Sequence, residues 1–267
     1  MPVPIFMVTI VLYFLATVSF LVYLLRRSEA LSKISLGLTA GGFVTHTVAL
    51  VLRMLSVGEV PLSSVHEALS FLSWMLVLVF LAVEFRHRIH VLGSFIVPLA
   101  LISLVSAAAL PERVPTLGPA LKTVWVHVGL SMLGTVGFAV AFVAGLMYLI
   151  QDGLLKSKRF NVLYAKLPPL DFLDNLNQRS IITGFPLLTL GIITGALSAE
   201  FARGSYLSWN PEQTWALVTW VFYFVVLMGR LTVGWRAKRA AYLTIIGFAV
   251  VILTLIGVVL KNQGPVS

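Results

Sequence analysis

Histidine and tryptophan are the side chains of this sequence best suited to binding chemistry. The chain has five histidines and six tryptophans but no cysteine, so a metal ion or a haem iron would have to be held by histidine or methionine. A neutral imidazole is a good iron ligand, and a polar ring inside a membrane is costly enough to indicate a function. His46, His66 and His127 are predicted to share one half of a membrane, where they are candidate iron ligands.

His46 lies near the middle of an apolar segment, where two interpretations remain open: iron ligation or an interhelical hydrogen bond. Arg53 follows seven residues later on nearly the same helix face, ~10 Å nearer the membrane surface at 1.5 Å per residue. This separation would let the guanidinium meet a haem propionate while the imidazole meets the iron. Snorkelling of Arg53 to the lipid headgroups explains its position equally well.

His66 stands at the start of another apolar segment. Ser64 and Glu67 have the spacing of a capping box, so Glu67 would satisfy backbone donors. The position predicts an interfacial histidine rather than an iron ligand, with contact to a cofactor as the alternative. His127 lies one to two turns inside its segment, whereas His87 and His90 fall at the opposite membrane surface among arginines and are excluded as metal ligands.

A polar loop over residues 200–215, here called the tryptophan loop, precedes an apolar helix. It lies within the stretch GSYLSWNPEQTWALVTW, Gly204 to Trp220. Trp209 and Trp215 flank its proline, and flat indole surfaces could stack on a porphyrin. Membrane interfaces enrich tryptophan whether or not a ligand binds, so both interpretations stay open.

The composition places these side chains in a membrane. Hydrophobic residues make up 59% of the chain and charged residues 11%, with a mean hydropathy of +0.99, which is typical of a polytopic membrane protein. The fold class is therefore predicted as an all-α integral membrane bundle of about eight transmembrane helices, forming one domain over residues 1–267. The apolar segments of about 20 residues are Val3–Leu25, Ile34–Leu55, Val65–Val83, Val91–Leu110, Leu121–Ile150, Ile181–Ala199, Thr214–Leu231 and Ala240–Leu260.

The basic residues predict the orientation of the bundle. With both termini outside, fourteen of the nineteen Lys and Arg residues fall on the cytoplasmic side and five on the other, as the positive-inside rule requires. The same distribution explains the net charge of +9 without nucleic acid as a partner. The expected location is a bacterial cytoplasmic (inner) membrane, with the tryptophan loop on the extracytoplasmic side.

Two further patterns concern the architecture. Leu170, Phe172, Leu173 and Leu176 have helical spacing among polar residues, which predicts a short amphipathic helix on the cytoplasmic surface. Gly191 and Gly195 form a GxxxG pair, and Gly137 and Gly145 belong to a similar stripe. Such stripes predict close helix packing rather than chemistry.

Several stretches, in order along the chain, resemble the CcsA/ResC/HemX-type cytochrome c assembly proteins, which handle haem through a tryptophan-rich external loop. The stretches are HTVALVLRM, PLSSVHEALSFLSW, WVHVGLSMLG, LPPLDFLDNLN, GFPLLTLGIITGALSAE, GSYLSWNPEQTWALVTW and GWRAKRAAYLTIIGF.

The resemblance implies a haem-binding role. His127 takes the place of a family histidine held to bind haem iron on the outer side, and His46 matches a histidine common in its helix. The implied cofactor is haem b, and the implied partners are a second membrane assembly subunit and the CxxCH cysteines of apocytochrome c. Trp209 and Trp215 would form an aromatic floor, and Arg53 or Arg203 would neutralise the propionates.

The sequence also departs from the family pattern. The family loop reads W-G-x-x-W-x-W-D, whereas Arg203, Leu207, Trp209 and Asn210 occupy the key positions here. Met228 stands where haem-lyase members have a histidine, and the C-terminal tail has none.

Two functions therefore stay open. The first is a cytochrome c biogenesis protein that binds or presents haem at the outer face. The alternative is a HemX-like accessory protein linked to haem biosynthesis, without lyase activity. A transporter is less supported, because no inverted halves are visible. The sequence has no GxGxxG, P-loop, HExxH or nucleophile elbow, which favours a haem-delivery component over a stand-alone catalyst.

Overall fold

The computed structural model describes residues 3–26, 28–57, 62, 64–110, 123–159, 161–206 and 211–263, and it is helical throughout its regular elements. Among these residues, eight helices are long and apolar enough to cross a membrane, so the protein is a multi-pass α-helical membrane protein. Their number and order agree with the apolar segments of the sequence. The helices are α1 Val3–Leu25, α2 Glu29–Val57, α3 Val65–His87, α4 His90–Ala108, α5 Thr123–Lys156, α6 Val162–Lys166, α7 Leu170–Arg203, α8 Pro211–Met228 and α9 Ala237–Gln263, with a π-helical turn, Gly229–Val233, between α8 and α9.

The contacts divide the chain into two compact units, each described by itself. Unit 1 comprises Met1–Val114 and Leu154–Pro168, and unit 2 comprises Pro115–Gly153 and Pro169–Ser267. The sequence predicts one polytopic domain over residues 1–267 and gives no sign of this division, since the hydropathy of the segments is alike in both parts.

Unit 1 is built on α1 packed against α2 and α4, with α3 packed against α4. Its interior is aromatic where α1 meets α3, because Phe20 and Phe80 pack edge to face with ring centroids 5.8 Å apart. Gly93 of α4 lies against both rings, and a β-carbon there would collide with them. The missing side chain is therefore what lets α4 approach this aromatic pair.

Unit 2 is held together by polar as well as apolar contacts. Asn177 of α7 donates from Nδ2 to the carbonyl oxygen of Ala141 in α5 at 2.6 Å and to the hydroxyl of Thr244 in α9 at 2.9 Å. Phe138 of α5 stacks on Tyr223 of α8 with ring centroids 3.6 Å apart. Inside lipid such hydrogen bonds fix helix register, because apolar contacts alone distinguish poorly between alternative alignments.

The segment expected to form a separate surface helix differs in the structure. Leu170 to Leu176 are the first turns of α7, which continues without a break to Arg203. Leu173 is fully buried, and Asp174 accepts a hydrogen bond from Arg230 at 2.7 Å. The amphipathic spacing therefore reflects a helix end packed inside unit 2, while the short helix in this region is α6, capped by Asn161.

Candidate functional site

In unit 2, a hydrogen bond joins the predicted iron ligand His127 of α5 to α7. The imidazole Nδ1 lies 2.6 Å from the carbonyl oxygen of Gly191, and the ring rests on Gly195, where an added β-carbon would lie 2.5 Å from Nδ1. The GxxxG pair of α7 thus forms the surface on which His127 sits. The sequence identifies these glycines as a packing stripe, which is confirmed, but it does not show that a histidine is the residue packed there.

The acceptor fixes the tautomer of His127. A carbonyl oxygen only accepts, so Nδ1 must carry the proton and the lone pair of a neutral ring is on Nε2. No described residue gives Nε2 a hydrogen bond, and the side chain is partly exposed. Iron-ligating histidines characteristically donate the other ring N–H to a carbonyl or carboxylate, which orients the ring and raises its basicity.

Close helix packing continues below His127. A β-carbon on Gly134 would meet the backbone of Leu188 at 2.8 Å, and one on Gly137 would meet Gly184 at 2.9 Å. The backbones of α5 and α7 are therefore in direct van der Waals contact at these glycines. The imidazole of His127 is therefore held by two rigid elements, which suits a residue that must present a lone pair in a fixed direction.

Trp215 lies at about the same level of unit 2 as His127. Trp220 of α8 donates its indole N–H to Thr189 of α7 at 2.9 Å, which fixes the register of these two helices. Because α8 runs back from the end of α7, Trp215 lies ~7.5 Å nearer the tryptophan loop than Trp220 does. That level corresponds to Thr194, between the two glycines that receive His127. The indole of Trp215 is 46% exposed.

The remaining predicted residues of this loop are only partly described. Arg203 is the last residue of α7, and Gly204 ends the helix in the left-handed conformation at φ 68°, donating its N–H to Glu200 at 2.8 Å. Trp209 and Asn210 lie outside the described residues. The irregular segment is shorter than the predicted 200–215, because α8 begins at Pro211, a residue well suited to the first turn of a helix.

In unit 1, His46 is fully buried between three helices. Its Nε2 lies 3.0 Å from the hydroxyl of Ser70 in α3, and its Nδ1 lies 3.4 Å from the hydroxyl of Tyr13 in α1. Both ring nitrogens have partners, so iron ligation by His46 would require one of these bonds to break. Of the two interpretations that the sequence leaves open, this arrangement favours the interhelical hydrogen bond, and ligation stays a prediction.

Arg53 also has a partner within unit 1. Its Nε donates to Glu67 Oε1 at 2.9 Å, with side-chain exposures of 10% and 3%. The backbone N–H of Glu67 bonds to Ser64 at 3.2 Å, as expected for the capping residue, but the carboxylate serves the guanidinium. Glu67 already balances the positive charge of Arg53, so a haem propionate at this place would have to share the guanidinium with Glu67.

His66 is buried within unit 1, at 7% exposed, and its position at the membrane interface stays a prediction. Its Nδ1 donates to the carbonyl oxygen of Ala107 in α4 at 2.7 Å, and the ring packs on Phe6 with centroids 5.6 Å apart. Nε2 is buried without a hydrogen-bond partner among the described residues. His66 thus repeats the tautomer of His127, but with its lone pair enclosed by protein.

At the other end of unit 1, His90 pairs with Glu84. Glu84 is only 4% exposed, and its second carboxylate oxygen has no partner within the described part of the chain. Sequence reasoning missed Glu84 as well as Tyr13, because a single acid or phenol within an apolar run carries no spacing signal. Among the described residues, no three His, Asp or Glu side chains gather as a metal cluster.

Comparison with known proteins gives a consistent family. The family model described as Cytochrome C assembly protein matches residues 62–265. The cytochrome c biogenesis protein CcsA of Guillardia theta is 35% identical over 252 residues, covering 86% of this chain and 84% of that protein. The CcsA of Prochlorococcus marinus (strain NATL1A) is also 35% identical, covering 82% and 79% respectively.

One solved structure is similar in fold. The cytochrome c haem lyase CcmF superposes with a TM-score of 0.68 at 14% sequence identity, over 97% of this chain. The chain spans about half the length of that protein, 49%. At this identity the likeness concerns the fold alone.

Proposed function

The chain belongs to the cytochrome c assembly protein family, and from this premise we propose that it is a membrane component of cytochrome c maturation that binds haem and presents it for attachment to apocytochrome c. The single observation that carries the haem-binding part is the hydrogen bond from His127 Nδ1 to the carbonyl oxygen of Gly191, 2.6 Å long. It leaves the Nε2 lone pair of a rigidly held imidazole available to iron.

The residues of unit 2 suit this cofactor. His127 supplies an axial nitrogen, and Gly195 gives the ring its seat. Trp215 adds an exposed side chain at the same level, and Arg203, the last residue of α7, belongs to the proposal through its charge in the sequence. Trp209 and Asn210 belong to this proposal on sequence grounds alone. The group we expect is haem b, because non-covalent ligation by histidine needs no cysteine from this chain.

In this role the protein positions haem and does not itself form the covalent bonds between haem and apocytochrome c. Bound haem would supply the groups that react with the cysteines of apocytochrome c, as well as the iron whose oxidation state must be controlled. The contribution of this chain is an imidazole oriented by its hydrogen bond to the Gly191 carbonyl, on a scaffold of packed helices. A second membrane subunit and apocytochrome c are the proposed partners.

We place the site on the extracytoplasmic side of a bacterial cytoplasmic membrane. The distribution of Lys and Arg assigns the start of α5 and the end of α7 to that side, and both helix ends belong to the part of unit 2 that holds His127. Presentation there matches the need to reach an apocytochrome acceptor outside the cytoplasm.

One observation favours the HemX-like accessory alternative. The family pattern provides a second external histidine after the tryptophan loop, whereas His127 is the last histidine of this chain. A protein that lacks this second histidine could sense haem, or recognise a partner through its loop, without delivering haem to an acceptor.

The test is spectroscopic. The full chain is purified in detergent with haem supplied, and the Soret and α bands are recorded for the wild type, for His127→Ala and for the control His87→Ala. We expect the wild type and the control to carry the same pigment and His127→Ala to lose or alter it. No pigment in the wild type, or one spectrum in all three proteins, would overturn the haem proposal and leave the accessory function ahead.

A further inference from the structure

A cavity of about 570 Å³ opens at the end of unit 1 opposite to His66. It lies where α1 ends, α2 and α4 begin, and α6 crosses. The basic residues assign this end to the cytoplasmic membrane surface, the depth at which lipid phosphates are found. It belongs to unit 1 alone and is independent of the haem site proposed for unit 2.

The cavity wall is rich in groups that bind anions. Lys33, His90 and Lys166 supply cationic or N–H donors, and Ser28, Ser32 and Tyr23 add hydroxyl groups. The first turns of α2 and α4 both lie at the cavity, so two helix N-termini add partial positive charge. An ordinary helix N-terminus has only its backbone N–H groups, whereas here side-chain donors line a cavity as well.

Lys166 covers part of the C-terminal end that α1 presents to the cavity. Its ammonium donates to the carbonyl oxygen of Tyr23 and to that of Arg26 at 2.6 Å, and it lies 3.5 Å from the centre of the Tyr23 ring. The carbonyl ends of α1 are thereby covered. Without this lysine their partial negative charge would oppose an anion in the cavity.

The acids near the cavity do not cancel this field. Glu84 is not part of the wall, and its carboxylate is engaged by His90. Glu29 is in the wall at the first position of α2 and offsets part of the positive charge, but the wall also holds Lys33 and Lys166, so its lysines outnumber its acid. The exposed Lys33, one turn further along the same helix, is the cation best placed to meet a ligand entering from the membrane surface.

We propose that this cavity binds the phosphate of an anionic phospholipid headgroup at the cytoplasmic surface of unit 1. Basic pockets between transmembrane helices on this side are suited to such headgroups, and the apolar faces of the neighbouring helices can receive the acyl chains. Bound lipid would contact the ends of α1, α2, α4 and α6, in addition to the bonds by which Lys166 ties α6 to the end of α1.

The experiment measures lipid selectivity of the full chain. Protein in detergent is titrated with phosphatidylglycerol, with phosphatidylcholine and with inorganic phosphate, and bound lipid is counted by native mass spectrometry. The test variant is Lys33→Gln. Lys33→Arg keeps the charge, and Arg239→Gln removes an exposed cation of unit 2 that is predicted to face the same side. Lys33 and Arg239 are both exposed, so all three variants should fold, which thermal unfolding verifies.

We expect the wild type to retain phosphatidylglycerol over phosphatidylcholine and Lys33→Gln to bind it about fivefold more weakly, as for one basic group at a membrane surface. Lys33→Arg and Arg239→Gln should match the wild type. Equal weakening by Lys33→Gln and Arg239→Gln would mean a general charge effect and overturn the proposal. Displacement of the lipid by millimolar inorganic phosphate would also overturn it, in favour of a site for free phosphate.

Discussion

The ring of His127 lies directly on Gly195, so that a β-carbon at residue 195 would stand 2.5 Å from Nδ1. This contact connects a packing motif with a binding residue. A GxxxG pair is usually explained by the approach of two backbones, but here Gly195 contacts an imidazole and the carbonyl oxygen of Gly191 accepts a hydrogen bond from it. The geometry makes the orientation of His127 depend on the size of residue 195.

Gly195→Ala should therefore disturb haem binding without removing a ligand. The added methyl group must push the imidazole away from α7 and weaken its bond to Gly191, because real β-carbon contacts are never this short. We expect haem affinity to fall by about 10- to 100-fold, the range for groups that orient a ligating histidine. Titration of the purified protein with haem measures it.

Gly129→Ala is the matched control for that variant. It lies two residues from His127 on the same helix, and a β-carbon there would meet nothing within 4 Å. Its haem affinity should equal that of the wild type. If both alanine variants bind haem as tightly as the wild type, the seat on α7 is not what positions the imidazole.

His46→Leu should reduce stability and leave haem binding unchanged. The substitution removes the hydrogen bonds that His46 makes with the buried hydroxyls of Tyr13 and Ser70, at a cost of ~1–3 kcal/mol in the free energy of unfolding. Chemical unfolding in detergent measures the loss, and the Soret band reports on the iron. His46→Gln, which keeps a donor and an acceptor, should lose less stability. Loss of pigment in a stably folded His46→Leu protein would instead identify His46 as an iron ligand.

Arg53 and Glu67 should behave as a coupled pair. Each single variant breaks a buried ion pair, so Arg53→Leu or Glu67→Leu alone should destabilise the protein by ~3–5 kcal/mol. The double variant should be more stable than the sum of the two single losses implies, and a double-mutant cycle of unfolding free energies measures this coupling. Strictly additive losses would argue that the pair contributes nothing as a pair.

The same double variant tests the propionate role of Arg53. Arg53→Leu by itself confounds a loss of haem binding with the instability caused by breaking the ion pair, whereas the double variant removes both charges together. If Arg53 neutralises a propionate, haem affinity falls in the double variant as well. An affinity equal to that of the wild type would assign Arg53 to structure alone.

Asp174→Asn should destabilise unit 2. The side chain of Arg230 is 1% exposed and 2.7 Å from the Asp174 carboxylate, which also accepts the N–H of Ala237 at 3.1 Å. Neutralising the acid leaves a buried guanidinium unpaired, and we expect a loss of ~3–5 kcal/mol in unfolding free energy. Asp171→Asn, at an exposed position one turn earlier, should stay within ~0.5 kcal/mol of the wild type. Similar stability of the two variants would contradict this reading of the ion pair.

The helix ends show where local signals stop being sufficient. Val3 and Leu25 bound α1 as the sequence predicts, because the apolar run and the helix coincide there. α7 instead begins at Leu170, eleven residues before the predicted Ile181, because Asp174 and Asn177 find partners in unit 2 and can stay helical below the apolar run. Hydropathy contains no information about such partners, so it places the N-terminal end of α7 too late in the sequence.

The sequence by itself determined the eight membrane segments and the family, since both depend on the type and order of residues along the chain and lipid requires ~20 apolar residues for each span. The tertiary structure alone decided which ring nitrogen of each histidine makes a hydrogen bond and which residue is its partner. His127 bonds to a carbonyl 64 residues away. The carboxylate of Glu67 pairs with Arg53, 14 residues away, and only its backbone N–H bonds to the helix cap, Ser64. A polar side chain in lipid takes whichever partner the packing of helices brings within hydrogen-bond distance, and no local spacing records that choice.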